Sequence, residues 1–240
     1  MNLISIILPA YNEGKNLKHL LPDIFKNLEK YNLEIILIDD GSADCTKDIV
    51  IDLNLVYKYN KQRQGLAKSI KMGIESARGE IIIVMDSDGD HNPLNLPFMI
   101  EELNFYDVVS TSRFLNRSKV TGRIRSSLSK AFNSFVRFMT GGELTDYLYG
   151  NWAIKKSTLE KINFNNIFWG YGDYCIRLLF YFEKLNLKIL EIPSLYGKRL
   201  FGDSNLRPIK IFGKYTFAVF KLVLMERFLH VRKNKILSNL

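Results

Sequence analysis

Three aspartates follow an apolar run near the middle of the chain, in the stretch IIIVMDSDGDHNP over residues 81–93. Side chains at positions i, i+2 and i+4 of an extended segment lie on one face, so Asp86, Asp88 and Asp90 are expected to converge on one cation. Carboxylate oxygens without clustered thiolates or imidazoles favour Mg²⁺ or Mn²⁺ over zinc. The stretch therefore predicts a divalent metal site at the end of a strand.

Two other structures can place acids in this pattern. An EF-hand loop also begins D-x-D-x-D, but its sixth and twelfth positions must be Gly and Glu, and here they are His91 and Pro97. An acidic turn that caps a helix starting near Pro93 is the second alternative, because Asp and Asn are common helix caps. The EF-hand is excluded, and the capping turn stays open.

The chain lacks the motifs of the common nucleotide-binding folds. No G-x-G-x-x-G follows the first apolar run, and no G-x-x-x-x-G-K-[ST] occurs. A Mg²⁺ held by one or two carboxylates usually completes its shell with substrate phosphates. The acids therefore favour a ligand that contains a diphosphate.

The elements that must position these acids alternate between strand and helix. Strand-like runs occupy residues 3–9, 33–39, 55–60, 80–86 and 107–113. Apolar strands that alternate with helices predict an α/β domain with a parallel sheet covered on both faces. Ligands of such sheets bind beyond the carboxyl ends of the strands. PAYNEG, DDGSAD and DSDGDHNP follow three of these strands, which predicts one shared site.

The second half of the chain is less regular. It predicts a basic helix over about 121–140, a strand near 151–156, a helix over about 172–185, a strand over 187–193 and a long C-terminal helix. We expect one catalytic domain over residues 1–206, followed by a basic amphipathic helix over 207–240.

Composition places the chain among ordinary globular proteins. Its 240 residues are enough for one large domain with a hydrophobic core. Cys45 and Cys175 provide neither a disulfide framework nor a metal-binding pair, which is typical of a reducing compartment. The strand pattern starts almost at once, so no signal peptide is expected. A cytoplasmic protein is the prediction.

The net charge of +9 is concentrated in two segments. Residues 113–140 hold seven Lys or Arg and no acid, and residues 207–240 hold eight and one. Phosphorylated ligands and anionic lipid are candidate partners, and solvated helix faces are the alternative. Nucleic acid is not expected, because carboxylates at the strand end repel phosphate unless a metal intervenes.

The C-terminal segment mixes large apolar residues with regularly spaced cations. On a helix with about 100° per residue, Lys210, Lys214 and Lys221 lie within about 40° of one another. Such a charged stripe excludes a spanning helix but is typical of a helix that lies in the membrane interface. The alternative is that the apolar face packs on the domain or on a second subunit of a homo-oligomer.

Four segments in this order, SIILPAYNEGKNL, LIDDGSADCT, QGLAKSIKMGI and DSDGDHNP, resemble the family 2 inverting glycosyltransferases, which have the GT-A fold. The later STSRF, RSSLS and EIPSLYGKRLFGDSNL are similar to the polyprenyl-phosphate glycosyltransferases, of the dolichyl-phosphate mannose synthase type. The resemblance implies metal-dependent transfer of a sugar from a GDP- or UDP-linked donor to a polyprenyl phosphate. The enzyme would lie peripherally on the cytosolic face of a membrane.

The resemblance also implies the residues of the donor site. Asp86, Asp88 and Asp90 would hold Mg²⁺ or Mn²⁺ against the diphosphate, although much of the subgroup has Gln at the third position. Residues expected to bind the nucleotide sugar are Pro9, Ala10, Tyr11, Glu13, Asp39, Asp40, Arg63, Gly65 and Asp86.

The implied acceptor is a lipid phosphate, which would attack without a protein base because it is mostly dianionic near neutral pH. Residues expected to bind this phosphate are Arg113, Arg125, Ser129 and Arg199, and the arginines join Asp88 as catalytic candidates. Ion pairing of Arg113 at the surface and solvation of Arg125 are the structural alternatives.

Asp173, in GYGDYCIR, keeps a different acceptor open. It stands where relatives with hydroxyl acceptors place their catalytic base, although an acid at a helix N-terminus is the structural alternative. Two competing hypotheses follow: transfer to a glycan or glycolipid hydroxyl with Asp173 as general base, and a non-catalytic basic module that binds RNA or anionic lipid.

Overall fold

Strands and helices alternate along the chain, as the sequence predicts. The computed structural model describes residues 2–51, 53, 55–116, 118, 123–195, 201–202 and 208–237. The strands are β1 (Ile4–Ala10), β2 (Leu33–Asp39), β3 (Val56–Tyr59), β4 (Ile81–Val84), β5 (Val108–Ser112), β6 (Trp152–Lys155) and β7 (Ile189–Pro193). The helices are α1 (Gly14–Asn27), α2 (Thr46–Ile51), α3 (Leu66–Ser76), α4 (Leu96–Glu102), α5 (Arg123–Thr140), α6 (Lys156–Leu159), α7 (Tyr174–Lys184) and α8 (Pro208–Leu237).

Within the described residues, these strands form one seven-stranded sheet in the order β3-β2-β1-β4-β6-β5-β7. The first four strands pair in parallel, and so do β5 and β7. Only β6 runs antiparallel to its neighbours β4 and β5 among the strands described. The sheet is therefore mostly parallel, and the predicted α/β class is confirmed.

Apolar side chains cover both faces of this sheet. Successive strand residues point to opposite faces, so Ile7 of β1 belongs to an apolar cluster that includes residues of α3, α5, α7 and α8, whereas Ile6 belongs to a second cluster that includes residues of α1, α2 and α4. Both side chains are fully buried. Continuous apolar strands are what a parallel sheet between two helical layers requires.

The C-terminal helix α8 contributes one face to this core. Val219 and Leu222 are buried, and the rings of Phe212 and Phe132 have centroids 5.3 Å apart. Glu226 accepts a hydrogen bond from the Tyr181 hydroxyl of α7 at 2.7 Å. Packing on the domain, one of the alternatives for this segment, therefore holds for this face. None of the described helices combines the length and apolar character that crossing a bilayer requires.

A buried carboxylate ties β1, β2 and the approach to β4 together at the amino edge of the sheet. Glu34 accepts hydrogen bonds from the Ser5 hydroxyl (2.5 Å), the Arg78 amide (2.6 Å) and Nε (2.8 Å), and the Gly79 amide (3.1 Å). Burial by itself raises the pKa of this carboxyl, but the four donors outweigh it and lower the pKa below its ordinary value.

We expect Glu34→Gln to lower the free energy of unfolding by roughly 1–3 kcal/mol near neutral pH, because an amide cannot accept from all four donors. Since the folded pKa is lowered, the ionised group stabilises the fold fully above the unfolded pKa of about 4.5. That stabilisation is lost as the pH falls through the folded pKa. Urea unfolding should show a constant difference in unfolding free energy between wild type and variant from about pH 7 to about pH 4.5, and a smaller difference at lower pH. The exposed Glu29→Gln is the control, and a gap that does not change with pH would contradict the prediction.

Candidate active site

A pocket of about 300 Å³ lies beyond the carboxyl ends of β1 and β4. These strands are neighbours in the sheet, but β2 lies on the far side of β1 and β6 on the far side of β4. The chain therefore leaves β1 toward the β3 end of this strand order and leaves β4 toward the β7 end. The two connections leave a crevice between them, which is where open α/β sheets bind ligands. The shared site predicted at the strand ends is therefore present as a pocket.

One half of this pocket, here called the β1–α3 half, is lined by Pro9, Ala10, Tyr11, Glu13, Asp40, Arg63, Leu66 and Ser69. The Arg63 guanidinium lies over the Tyr11 ring at 3.9 Å from its centroid. Six of the predicted nucleotide-binding residues lie in this half. Two other predicted nucleotide-binding residues, Asp39 at the end of β2 and Gly65 before α3, are not among its lining residues.

Asp40 shapes the loop that precedes α3. One of its carboxylate oxygens accepts from the Asn60 amide group (3.0 Å) and the Gln64 backbone N–H (2.7 Å), and the other accepts from the Gly65 N–H (2.7 Å). Gly65 has a φ of +91°, a conformation that favours glycine. Gly65 therefore shapes this loop, with its amide directed to Asp40, and its predicted contact with the nucleotide stays a prediction.

Asp39 has structural partners instead of a place in the pocket. Its side chain is buried and accepts from the Ser42 N–H at 2.8 Å and from the Tyr57 hydroxyl at 2.7 Å. These bonds form the turn after β2 and join it to β3. The structure therefore does not support the predicted contact between Asp39 and the nucleotide.

Asp86, Asp88 and Asp90 all line the pocket, but they do not lie on an extended strand. β4 ends at Val84, the chain then turns, and Gly89 has a φ of +87°. Among the described residues, no group of three or more His, Cys, Asp or Glu side chains is arranged to hold a metal ion. The expectation of three acids converging as one set is corrected, because the alternation of side chains in a strand does not apply to a turn.

Two buried polar residues hold this turn in place. The Ser87 hydroxyl donates to the Pro9 carbonyl at 2.6 Å, and His91 Nδ1 accepts from the Asp86 N–H at 2.9 Å. Burial is the main cause that lowers the pKa of His91 to about 4. The imidazole is therefore neutral near pH 7, with its proton on Nε2. Sequence analysis had no signal that separated such a residue from any other histidine in a turn.

Arg113, predicted to bind the acceptor phosphate, projects into the pocket from the end of β5. Its Nε and Nη2 donate to Asp146 at 2.7 and 2.8 Å, and Asp146 is fully buried. Burial disfavours the charged guanidinium, but the hydrogen bonds and charge of Asp146 outweigh it and raise the pKa of Arg113. Arg113 thus forms an ion pair, as the structural alternative held, but its partner is a buried carboxylate that fixes the orientation of the side chain.

The structure says less about the other three residues that were predicted to bind the acceptor phosphate. Ser129 accepts from Arg113 Nη2 at 3.3 Å and does not itself line the pocket. Arg125 lies in α5, but its side chain is outside the described part of the structure. Arg199 lies outside the described residues altogether. Their predicted contacts with phosphate stay predictions.

Asp173 is not a lining residue of the pocket. Its carboxylate forms an ion pair with the buried Arg177 and accepts from the Tyr171 N–H at 2.7 Å. Arg177 also donates to the carbonyls of Ile167 (2.8 Å) and Trp169. Asp173 therefore stabilises the loop before α7, and its surroundings do not support the role of general base.

Sequence analysis missed most of the second half of the pocket, here called the tyrosine half. It is lined by Leu148, Tyr149, Gly150, Tyr171, Gly172, Tyr174, Cys175 and Tyr215. The aromatic stretch around Tyr149 was the available signal, but aromatic residues more often pack in a core. Tyr215 comes from α8, so no local pattern could connect it with the site.

Two named proteins resemble the chain in sequence. A dolichol-phosphate mannosyltransferase of Pyrococcus furiosus is 29% identical over 232 residues, which cover 93% of this chain and 64% of that protein. An undecaprenyl-phosphate 4-deoxy-4-formamido-L-arabinose transferase of Aeromonas hydrophila is 32% identical over 156 residues, which cover 61% of this chain and 47% of that protein. The chain thus spans less than two thirds of the length of either relative.

The fold also resembles that of solved structures. Glucosyl-3-phosphoglycerate synthase from Mycobacterium tuberculosis, solved with Mn²⁺, uridine diphosphate and glucosyl-3-phosphoglycerate, has a TM-score of 0.69 and 20% identity. The likeness covers 93% of this chain and 79% of that one, and it confirms the predicted GT-A fold. Residues 5–163 match the model of the family named Glycosyl transferase family 2. The match covers more than half of the chain and confirms the predicted family: the chain belongs to glycosyl transferase family 2.

Proposed function

We propose that the chain transfers one sugar from a nucleotide sugar to a polyprenyl phosphate at a membrane surface, with inversion at the anomeric carbon. The observation that carries the proposal is one pocket that joins the β1–α3 half, three carboxylates and Arg113. The relatives from Pyrococcus and Aeromonas are named for dolichol- and undecaprenyl-phosphate acceptors, which supports this acceptor class.

The β1–α3 half suits the nucleoside of the donor. Tyr11 is 36% exposed and carries the Arg63 guanidinium on its ring, and flat groups of this kind stack on bases. Glu13 and Asp40 supply acceptors at the same wall. The described lining of this half does not distinguish uracil from guanine, so UDP- and GDP-linked sugars are both proposed donors.

The carboxylates of the pocket fit a hard divalent cation. Mg²⁺ or Mn²⁺ needs only one or two of Asp86, Asp88 and Asp90 when a diphosphate supplies further oxygens. These ions prefer carboxylate oxygens to the thiol of Cys175, which also lines the pocket. When bound, the ion would stabilise the charge that develops on the leaving nucleoside diphosphate.

Arg113 would orient the acceptor phosphate toward the anomeric carbon. The second pKa of a phosphate monoester is ~6, so the acceptor is mostly dianionic near neutral pH and attacks without a general base. A phosphate oxygen forms the new bond to the anomeric carbon as the bond to the nucleoside diphosphate breaks. Because Asp146 holds the guanidinium, its N–H groups are fixed before the acceptor binds.

The outer face of α8 suits the membrane on which such an acceptor is found. Phe217, Phe220 and Leu224 are 67%, 46% and 53% exposed. At about 100° per residue they lie opposite the buried Val219 and Leu222. Large apolar side chains flanked by lysines on one helix face are typical of a helix lying in a membrane interface. We propose that this face contacts anionic lipid.

The first prediction concerns Asp88. We expect Asp88→Ala to reduce sugar transfer by roughly 100-fold or more, because the donor diphosphate loses a group that helps to neutralise it. Thermal shifts with UDP, GDP and their sugar conjugates, each with and without Mn²⁺, would identify the base and show whether binding requires metal. Asp23→Ala, at an exposed helix position, is the control. Wild-type turnover by a folded Asp88→Ala would rule out the metal assignment.

The second prediction separates a phosphate acceptor from a hydroxyl acceptor. Asp173→Asn leaves Arg177 buried without its charge partner, so we expect the stability to fall by roughly 3 kcal/mol. Arg177→Met also breaks the ion pair. In assays well below the melting temperatures of both variants, we expect Arg177→Met and Asp173→Asn to reduce turnover to a similar extent. A general base would behave differently: Asp173→Asn would lose roughly 100-fold more turnover than Arg177→Met, with normal donor binding.

The third prediction concerns the membrane contact. We expect Phe217→Ser combined with Leu224→Ser to reduce co-flotation with anionic vesicles at least ~10-fold, because each apolar side chain contributes roughly 1.5–3 kcal/mol when buried in lipid. Phe105→Ser is the matched control, since Phe105 is 74% exposed elsewhere on the surface. Size-exclusion chromatography of the same variants tests the alternative that this face joins two subunits. Equal flotation of all variants would exclude this face as the anchor.

A further inference from the structure

The segment before β6 lies between the two parts of the pocket that are proposed to bind phosphate. β6 is placed between β4 and β5 in the sheet and runs antiparallel to both. The residues just before Trp152 therefore lie between Arg113, which follows β5, and the turn over residues 86–90, here called the aspartate turn. Tyr149 belongs to this segment, lines the pocket and is 7% exposed. The proposed function gives it no role.

On one side, Tyr149 contacts the aspartate turn. Its hydroxyl donates to the Asp90 carbonyl at 3.0 Å, and the Asp90 N–H in turn donates to a carboxylate oxygen of Asp88 at 3.0 Å. Its ring meets the ring of His91 edge to face, with centroids 4.4 Å apart, and His91 accepts from the Asp86 N–H. Burial is the main cause that raises the pKa of Tyr149, so the hydroxyl keeps its proton and stays a donor. Tyr149 thus contacts the two residues that bond to Asp86 and Asp88.

On the other side, Tyr149 contacts the strand end that carries Arg113. The guanidinium carbon lies 5.0 Å from the centroid of the Tyr149 ring, a distance at which an aromatic face attracts a cation. The buried Ser194, which follows β7, donates from its hydroxyl to the Tyr149 hydroxyl at 2.9 Å. The Ser194 N–H donates to the carbonyl of Ser112, the last residue of β5, at 2.8 Å. One side chain therefore contacts both the aspartate turn and the surroundings of Arg113.

The proposed reaction needs a fixed distance between these two parts of the pocket. The acceptor oxygen must approach the anomeric carbon opposite the leaving diphosphate, and a misplacement of about 1 Å can reduce the rate roughly 100-fold. We infer that Tyr149 is a positioning residue that fixes Arg113 relative to the aspartate turn, and thereby the acceptor phosphate relative to the donor diphosphate. The inference rests on the proposed function, because it assigns a role within the same site.

Two substitutions of Tyr149 separate its hydroxyl from its ring. Tyr149→Phe loses the bond to Asp90 and keeps the ring beside Arg113. Calorimetry with UDP and GDP should show Mn²⁺-dependent binding weakened roughly 2- to 10-fold, whereas the KM for undecaprenyl phosphate should change less than about twofold. Tyr149→Leu also loses the ring, so we expect a KM for undecaprenyl phosphate roughly 2- to 5-fold above that of Tyr149→Phe. Its kcat at saturating substrates should fall roughly 10- to 100-fold.

A further variant distinguishes positioning from a loss of stability. In Tyr149→Phe the buried Ser194 hydroxyl loses its acceptor, which by itself destabilises the fold. Adding Ser194→Ala removes that hydroxyl and should raise the melting temperature without restoring Mn²⁺-dependent binding. If the double variant regained wild-type binding together with stability, the inference would be overturned, because the bond to Asp90 would still be absent.

Tyr147→Phe is the matched control. Tyr147 is a buried tyrosine outside the pocket lining, and its hydroxyl donates to Glu183 at 2.6 Å. Its loss should lower the melting temperature and leave kcat, KM and Mn²⁺-dependent binding unchanged. Wild-type kcat in Tyr149→Leu, or equal losses in Tyr147→Phe, would overturn the inference. A wild-type chain that binds UDP or GDP with Mn²⁺ but transfers nothing to undecaprenyl phosphate would instead overturn the proposed acceptor, and weaker Mn²⁺-dependent binding by Tyr149→Phe would still support the link to the aspartate turn.

Discussion

The ion pair between the partly exposed Arg113 and the buried Asp146 is the interaction on which the pocket depends. Asp146 accepts from Arg113 at 2.7 and 2.8 Å, and also from the Asn133 amide group and the Leu148 N–H, each at 3.2 Å. One carboxylate thus joins the end of β5, helix α5 and the segment before β6. Breaking such a pair leaves an uncompensated buried charge, so these three elements keep a fixed geometry.

Strand direction determines which residues reach this pair. β6 is antiparallel to β4, and Trp152, its first residue, lies opposite Val84, the last residue of β4. An antiparallel strand starts at the edge where its neighbours end, so the residues just before Trp152 reach the same edge as the acids after β4. The tyrosine half of the pocket is therefore assembled from segments that are far apart in the chain, including α8.

The local parts of this arrangement were predictable, because hydrophobic periodicity reports directly on local structure. Strands expected at residues 3–9 and 33–39 are found at Ile4–Ala10 and Leu33–Asp39. The expectations for Asp39 and for the three aspartates were wrong because they applied a rule for local strand structure to residues whose surroundings are set by other contacts. Asp39 faces Tyr57 and the turn instead of the pocket, and Gly89 turns the chain where a continued strand would have aligned three aspartates.

By itself, the sequence determined the α/β class, the collection of polar residues at the strand ends and the family, because each depends on residues close together in the chain. Only the tertiary structure decided what each polar side chain does. Asp173 is bound by Arg177, and the orientation of Arg113 is fixed by Asp146. The physical reason is that burial gives a charge or hydroxyl its role through the groups it meets, and packing brings those groups from distant segments.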